Sequence, residues 1–181
     1  GLKGLSDANW ATKHSTTGYT FLFRSAAVSW ASKKQKSIAL SSCEAEIMAA
    51  SDAAKEAVYM DRFVTELGFG SGRPVELAVD NTAARDLAYN PQHHDRSKHI
   101  ERRHFFIREM VEDGRLVVPF VRTSENLADF FTKPLAPDLF ARFRAEIMNL
   151  PRVDGVVARS AGLQHGGVLN GLDHDAPAPA G

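Results

Sequence analysis

Short runs rich in aromatic and β-branched residues fill the first part of the chain, which is the pattern of β-strands. We expect strands over residues 2–10, 18–23 and 27–30, with a turn at Arg24 and Ser25 between the last two. Together the three strands predict an antiparallel meander.

A helical pattern follows, opened by Ser41 and Glu44 at the spacing of a capping box. The Ala-rich run behind them continues to about residue 67, where three closely spaced glycines end it. Beyond it we expect a fourth strand over residues 75–80 and two helices over residues 81–89 and 98–112.

Residues 116–121 predict a fifth strand, whose Pro119 suits the edge of a sheet. Ser124 is then in position to cap a helix through residues 126–131, and residues 138–150 predict a last helix. The order of three strands, helix, strand, helices, strand and helices is typical of an α/β domain with a mixed sheet covered by helices.

We assign residues 1–150 to this domain and residues 151–181 to a C-terminal tail. The tail has no aromatic residue and many Gly, Pro and Ala residues, so it cannot bury enough apolar surface to offset the entropy of ordering. We expect it to be disordered.

Composition excludes several classes of protein. The chain has 181 residues, with 22 Lys and Arg against 22 Asp and Glu, and Cys43 is its single cysteine. One cysteine excludes an internal disulfide and a Cys-rich zinc site, and no run of about 18 uncharged apolar residues is present to span a membrane. No basic and apolar leader follows Gly1, so we interpret the chain as a non-secreted piece of a longer polypeptide.

Zero net charge argues against a protein that binds nucleic acid by bulk attraction alone. The charge is unevenly spread, however. Residues 92–108 hold five Lys or Arg and four His residues against two acids, and Lys33, Lys34 and Lys36 form a second basic cluster. Such runs are equally typical of a solvated face and of a phosphate-binding face.

Four acidic residues stand in unusual surroundings. Asp7 lies inside an apolar strand, Glu46 early in the Ala-rich helix, Asp80 at the end of the fourth strand and Asp129 in the first turns of a late helix. Taken singly, such acids have structural explanations, as a turn residue, a helix cap or a partner of a helix dipole. Together they favour a carboxylate cluster whose repulsion cations must neutralise, and oxygen-only ligands point to Mg²⁺ or Mn²⁺.

Glu44 and Glu46 must be told apart. Glu44 lies three residues after Ser41, where a capping-box glutamate folds back on the start of the helix. Glu46 shares a helical face with alanines, whose small side chains let that face approach a sheet. We therefore expect Glu46 to be the inward carboxylate.

Seven blocks of sequence stand out for their order and spacing. They are Ser6-Asp7-Ala8-Asn9-Trp10-Ala11, Ser15-Thr16-Thr17-Gly18-Tyr19, Val28-Ser29-Trp30-Ala31-Ser32-Lys33-Lys34-Gln35, Ser41-Ser42-Cys43-Glu44-Ala45-Glu46-Ile47-Met48-Ala49, Val79-Asp80-Asn81, Ser97-Lys98-His99-Ile100, and Asn126-Leu127-Ala128-Asp129 with Thr132-Lys133-Pro134-Leu135. The blocks resemble the ribonuclease H domain of copia-type LTR retrotransposon polyproteins, over about residues 2–150.

The resemblance implies a ribonuclease H-like fold of the α/β class, with a five-stranded mixed sheet of three antiparallel strands plus two parallel ones, flanked by helices. It implies hydrolysis of the RNA strand of RNA/DNA hybrids during retrotransposon reverse transcription, with two Mg²⁺ ions for which Mn²⁺ can substitute. It assigns catalysis and metal binding to Asp7, Glu46, Asp80 and Asp129, the same four acids singled out above.

The resemblance also implies partners and a location. The partners are the RNA/DNA hybrid and an upstream reverse transcriptase domain of the same polyprotein. The location is cytoplasmic, in retrotransposon particles, with the nucleus as the alternative compartment. We expect the isolated domain to be monomeric and to make no membrane contact.

The chain departs from related enzymes at two positions. Many cellular ribonucleases H carry a mobile histidine in the loop before the last catalytic Asp, whereas residues 122–125 contain none. His99 is a candidate replacement, although helix capping or a phosphate contact is the favoured interpretation. Cys43 stands where the family often has Thr, and we expect it to be a small buried thiol.

Contacts to the nucleic-acid backbone should dominate, because an enzyme that cuts many sequences reads shape, phosphates and 2′-hydroxyls. We expect basic residues to contact phosphates and two polar residues to form weaker minor-groove hydrogen bonds. The phosphate candidates are Lys33, Lys34, Arg96, Lys98, His99, Arg102 and Arg103, and the minor-groove candidates are Ser15 and Asn81. For Trp10 and Trp30, core packing is favoured over stacking on the nucleic acid.

Three other functions stay open. A retroelement-derived nucleic-acid-binding domain with weak or lost catalysis is the first, because the chain lacks the reverse transcriptase that would supply much of the contact with a hybrid. An integrase or transposase core of the same broad fold is disfavoured, because its acids are usually two aspartates followed by a late glutamate. A purely structural domain leaves the buried acids unexplained.

Overall fold

The computed structural model describes residues 1–89 and 98–151, so the predicted tail lies, apart from Pro151, outside the described residues. The strands are β1 (Leu2–Asn9), β2 (Thr16–Phe23), β3 (Ala26–Lys34), β4 (Val75–Val79) and β5 (Leu116–Val117). They form one sheet in the order β3-β2-β1-β4-β5. β1 to β3 are antiparallel, while β4 and β5 extend the sheet in parallel from β1, which confirms the predicted mixed sheet.

The hairpin between β2 and β3 turns at Arg24 and Ser25, as predicted. Their φ angles are 50° and 71°, in the left-handed region. A two-residue loop with positive φ at both positions matches the right-handed twist of the strands on either side. The chain accepts this strained turn without a glycine.

The helices are α1 (Ser42–Glu66), α2 (Thr82–Tyr89), α3 (Lys98–Glu112) and α4 (Pro137–Ile147), with two 3₁₀ helices, η1 (Thr123–Glu125) and η2 (Leu127–Phe131), before α4. At the start of α1, Ser41 Oγ accepts a hydrogen bond from the Glu44 backbone N–H at 3.2 Å. The Glu44 carboxylate in turn accepts from the Leu40 backbone N–H at 2.8 Å. Glu44 therefore has the capping role that its spacing predicted.

Three predictions of local structure are wrong. β5 ends at Val117 instead of reaching residue 121, because Pro119 has no N–H for the ladder, and only an isolated bridge joins Phe120 to Val79. The segment before Pro134 is two short 3₁₀ helices and not one α-helix. Asn126, and not Ser124, caps η2, because its side-chain oxygen accepts the Ala128 backbone N–H at 3.2 Å.

Different helices cover the two faces of the sheet. α1 and α3 pack on the face that carries Phe21 and Leu77, and η2 and α4 cover the other face around Leu5 and Phe143. The α1 positions that face the sheet are alanines, all buried: Ala49, Ala50, Ala53, Ala54 and Ala57. Their small side chains let the backbone of α1 lie close to the strands. None of the described helices has both the length and the apolar character needed to cross a membrane.

Candidate functional site

Two acids lie at the carboxyl ends of neighbouring parallel strands. In the parallel pairing of β1 with β4, Ser6 lies opposite Val79. Asp7 follows Ser6 and Asp80 follows Val79, so the two acids lie beside each other. Asp7 is 3% exposed and Asp80 is half-buried. Open α/β sheets bind their ligands at this end of parallel strands, so the register alone places two carboxylates where a ligand is expected.

Glu46 comes to the same place from α1. It lies in the first turns of the helix, after the Ser41 cap, and is 8% exposed. Among the described residues, its Oε2 atom has no hydrogen-bond partner. A buried carboxylate oxygen without a partner is costly, and a cation would satisfy it.

Asp7, Glu46 and Asp80 form a compact acidic cluster. One carboxylate oxygen from each residue lies within 4.8 Å of the corresponding oxygens of the other two. Burial first, and then the charges of Asp7 and Asp80, raise the pKa of Glu46 from 4.5 to about 9. Three hard oxygen donors with one unpartnered oxygen fit a Mg²⁺ or Mn²⁺ ion in kind and in spacing.

Asp129, the fourth predicted acid, lies beside this cluster but is not one of its three members. It is 2% exposed, in the first turn of η2. The Asn126 amide holds this segment to β1, because its Nδ2 donates to the Ser6 carbonyl at 3.0 Å. Burial raises the pKa of Asp129 to about 6, although the adjacent Lys133 lowers it.

The sequence predicted no functional role for two residues of the site, Thr132 and Lys133. The Thr132 hydroxyl donates a hydrogen bond to Oδ2 of Asp7. The Lys133 ammonium lies 2.9 Å from Oδ1 of Asp129 and 4.0 Å from Oδ2 of Asp7. Burial lowers the pKa of Lys133, but its bond to Asp129 and the charges of Asp7 and Asp80 leave that pKa raised. The spacing of four residues between Asp129 and Lys133 was the available signal.

Gly18 lets η2 approach the sheet. It lies opposite Asp7 in the pairing of β1 with β2. A Cβ atom there would lie 2.5 Å from Cγ2 of Thr132 and 3.0 Å from both the Ala128 carbonyl oxygen and Cβ of Phe131. Only glycine therefore permits the close contact that brings Asp129 to Asp7.

Some of the predicted phosphate-contacting residues converge on a second acid, Asp52 of α1. Lys33 of β3 lies 3.2 Å from the Asp52 carboxylate, Lys55 lies 3.7 Å from it and Arg103 of α3 lies 3.0 Å from it. Arg103 also donates to the Met48 carbonyl at 3.4 Å. Lys33, Lys55 and Arg103 thus share one carboxylate.

The other predicted contacts are distributed differently. Arg102 is exposed on α3, and Lys34 is exposed at the end of β3, where it donates to Thr16 Oγ1 at 3.0 Å. Asn81 is half-buried beside Asp80 and caps α2 by accepting the Ala84 N–H at 2.9 Å. Ser15 is fully buried and accepts the Ala11 N–H at 3.2 Å, so we give it a structural role in the loop before β2.

Arg96 lies outside the described residues, and so do the side chains of Lys98 and His99, although α3 begins at Lys98. The core-packing interpretation of the tryptophans is wrong: Trp10 is 46% exposed and Trp30 is 60% exposed. Cys43 is half-buried, not fully buried as predicted.

Comparison with solved structures defines the class of fold. The N-terminal RNase H domain of a Mycobacterium tuberculosis protein, solved as a fusion with maltose-binding protein, superposes with a TM-score of 0.55 over 80% of this chain and 97% of that chain, at 10% identity. The chain thus has the ribonuclease H fold, as its sequence predicted.

Sequence similarity identifies the relatives. The chain is 43% identical over 143 residues to the retrovirus-related Pol polyprotein from transposon TNT 1-94 of Nicotiana tabacum, covering 77% of this chain and 11% of the polyprotein. It is 39% identical over 150 residues to the Pol polyprotein from transposon RE1 of Arabidopsis thaliana, covering 81% of this chain and 10% of the polyprotein. No protein-family model matches the chain.

The chain is therefore a homologue of a segment of retrovirus-related Pol polyproteins from plant transposons, and the resemblance stated from its sequence blocks is confirmed. It spans about a tenth of the length of these relatives.

Proposed function

We propose that the chain is a metal-dependent endonuclease that hydrolyses the RNA strand of RNA/DNA hybrids during retrotransposon reverse transcription. The observation that carries the proposal is the cluster of Asp7, Glu46 and Asp80, whose ligand oxygens lie within 4.8 Å of one another at the carboxyl ends of β1 and β4. The ribonuclease H fold and the similarity to Pol polyproteins support the choice of substrate.

The four acids have distinct roles in this proposal. Asp7, Glu46 and Asp80 would hold one divalent ion, and Asp7 and Asp129 would hold a second. Mg²⁺ or Mn²⁺ held by these residues would supply activation of a water and stabilisation of the leaving oxygen, so that the products would carry a 3′-hydroxyl and a 5′-phosphate. The protein's own contribution is to orient the ligands: Thr132 fixes Asp7 by its hydrogen bond, and Asn126 fixes the segment that carries Asp129.

Basic residues beside this site would bind the hybrid through its phosphates. The candidates that the structure describes are Lys33, Lys34, Arg102 and Arg103, and Asn81 is the polar candidate nearest to the acids. We keep Arg96, Lys98 and His99 as candidates from the sequence alone. Because Lys33 and Arg103 share Asp52, they would contact phosphates as one unit.

The biological setting is part of the same proposal. Similarity to Pol polyproteins supports an upstream reverse transcriptase domain as the partner in the same chain. We propose that the protein is located in cytoplasmic retrotransposon particles, with the nucleus as the alternative compartment. We also propose that the isolated domain is monomeric.

A nucleic-acid-binding domain with weak catalysis is the second candidate function. One observation favours it: the Lys133 ammonium already pairs with Asp129, one of the four acids that catalysis requires. This candidate keeps hybrid binding and predicts little or no cleavage.

Cleavage of labelled substrates separates the two functions. The protein is incubated with an RNA/DNA hybrid, an RNA duplex and a DNA duplex of one sequence, each with Mg²⁺, with Mn²⁺ and with a chelator. The proposal predicts cleavage of the hybrid's RNA strand only, and only when a metal ion is present. Hybrid binding without cleavage under every metal condition, by protein shown to be folded, would contradict the nuclease and favour the binding domain.

A further inference from the structure

Lys133 stands at a position that a cation of the proposed site would take. Its ammonium lies between Asp129, at 2.9 Å, and Asp7, at 4.0 Å. Both carboxylates are nearly fully buried, with side-chain exposures of 3% and 4%, whereas the Lys133 side chain is 36% exposed. The lysine thus reaches from the surface into an otherwise acidic pocket.

Among the ion pairs of the described residues, Lys133 meets one member of the three-acid cluster, Asp7. The Thr132 hydroxyl and the Lys133 ammonium both approach Oδ2 of Asp7. A carboxylate has a second oxygen with lone pairs of its own, so Asp7 still offers Oδ1 to the cluster with Glu46 and Asp80. Asp129, by contrast, has its Oδ1 in the ion pair and is not among the three clustered acids.

We propose that Lys133 is a tethered cation that occupies the second metal position, between Asp7 and Asp129, and that a second divalent ion binds only when this ammonium withdraws. The inference rests on the proposed function, because it concerns the same acids. The first ion binds among Asp7, Glu46 and Asp80, which Lys133 leaves open.

The chemistry of lysine allows this exchange. A lysine ammonium is a point charge on a flexible four-carbon stem, so it can leave a carboxylate without moving the backbone. Its side chain is 36% exposed, which gives it a path to solvent. Lys133 therefore stabilises Asp129 in the metal-free protein and competes with the second ion, so that the two ions bind with different affinities.

The test measures Mn²⁺ binding to the full chain by calorimetry, without nucleic acid. The variants are Lys133→Gln and Lys133→Met, which remove the charge, and Lys133→Arg, which keeps it. Lys3→Met is the matched control, because it removes the same charge from an exposed lysine four residues before Asp7 in β1, roughly 13 Å along the strand. Circular dichroism checks that each variant is folded.

We expect the wild type to bind one Mn²⁺ ion tightly and a second weakly. Removing the charge at Lys133 should raise the affinity for the second ion on the order of tenfold or more, because a unit positive charge leaves the immediate surroundings of Asp7 and Asp129. Lys133→Arg and Lys3→Met should keep the wild-type pattern. If Lys133→Gln and Lys133→Met both bound the second ion with unchanged or lower affinity, the proposal would be overturned.

A second measurement uses the wild type alone and does not depend on the stability of the variants. The NMR signals of the Lys133 side chain are followed during titration with Mg²⁺. We expect their chemical shifts to stay unchanged while the first ion binds and to change when the second ion binds. A shift complete with the first ion would overturn the inference and leave the proposed nuclease intact, whereas no ion binding by the wild type would contradict both.

Discussion

The protonation of Glu46 is the simplest measure of the electrostatics of the site. It is buried beside Asp7 and Asp80, and burial and these charges raise its pKa from 4.5 to about 9. In the absence of divalent ions, the folded protein therefore binds a proton at Glu46 that the unfolded chain gives up above about pH 4.5.

The first prediction follows from the sign of this shift. With a chelator present, the stabilising contribution of protonated Glu46 should be complete below about pH 4.5 and should be lost as the pH rises toward about 9. Asp129, with a pKa of about 6, adds a smaller effect in the same direction at lower pH. Urea unfolding at pH values between about 6 and about 9 isolates the Glu46 part.

Glu46→Gln is the matched variant, because an amide cannot lose a proton in this range. We expect the wild type to lose stability relative to Glu46→Gln across this window, and Mg²⁺ to restore stability to the wild type alone. Parallel curves for the two proteins would show that Glu46 titrates normally and that the acidic cluster is not as tight as described.

The site residues divide into those that sequence reasoning could find and those that it could not. The structure brings together Asp7 and Glu46, which the sequence singled out because several acids in unusual surroundings together favour a carboxylate cluster. Lys133 was missed because its role depends on how the chain after η2 places its ammonium near Asp129 and Asp7. The composition of that segment does not distinguish Lys133 from a lysine on the surface, and only its spacing of four residues from Asp129 was a signal.

Among the elements, β2 and η2 determine how the acids meet. Gly18 of β2 faces η2, and the absence of a side chain there lets the segment that carries Asp129 lie against β1 and β2. The sequence predicted both elements approximately but not their contact, because a contact between segments more than a hundred residues apart leaves no local pattern.

The second prediction is that Gly18→Ala lowers both the stability of the fold and the affinity for Mn²⁺. The new Cβ would meet Cγ2 of Thr132 at 2.5 Å, so η2 must move, at a cost of about 1–3 kcal/mol, which is typical of overpacking. The displacement should also weaken Mn²⁺ binding, because it moves Asp129 away from Asp7. Urea unfolding and Mn²⁺ calorimetry measure the two effects.

Gly4→Ala provides the control for this prediction. Its Cβ would meet the Phe21 ring at 2.4 Å, in the core beneath α1 and away from η2. We expect this variant to lose stability with little change in Mn²⁺ affinity. If Gly18→Ala also left the affinity unchanged, the contact between β2 and η2 would have no part in positioning the acids.

Two element-level errors have a common physical origin. β3 is an edge strand, and its outward positions include Trp30, which is 60% exposed because the described helices do not cover it. β5 is the other edge, where Pro119 shortens the ladder. Sequence patterns describe the apolar character of a strand, but whether a covering layer reaches an edge depends on the whole fold.

At the scale of the whole molecule, the proposed binding of a hybrid would depend on the distribution of charge and not on the net charge. The formal net charge is zero, yet Lys33, Lys55 and Arg103 surround Asp52, and Arg102 is exposed on the neighbouring helix. The sequence predicted the basic residues because they are clustered along the chain. It could not predict Asp52 as their shared partner, since the three elements involved are distant in sequence.

The third prediction concerns the salt dependence of binding to a hybrid. Replacing both Arg102 and Arg103 with alanine should lower the magnitude of the slope of log K against log salt by about 2, or about 1 for each phosphate that is no longer neutralised. The control is Arg62→Ala, an exposed arginine near the other end of α1 that pairs with Glu66 at 2.8 Å. An unchanged slope in the double variant would remove α3 from the proposed interface.

The central claim is that the three clustered acids make this fold a nuclease for RNA/DNA hybrids, and Asp80→Asn tests it most directly. Asparagine keeps the size of Asp80 and removes its charge, and Asp80 is only half-buried, so the fold should persist. Asp86→Asn is the control, an exposed acid on α2 that pairs with Arg85.

The measurement is the rate at which each protein cleaves the RNA strand of one labelled hybrid in Mg²⁺. The account predicts that Asp80→Asn slows cleavage by at least about 100-fold, since even residues that only support metal ligands cost about 10- to 100-fold, and that Asp86→Asn leaves the rate unchanged. Cleavage by folded Asp80→Asn at the wild-type rate would contradict the account, because the acidic cluster would then not be the catalytic site.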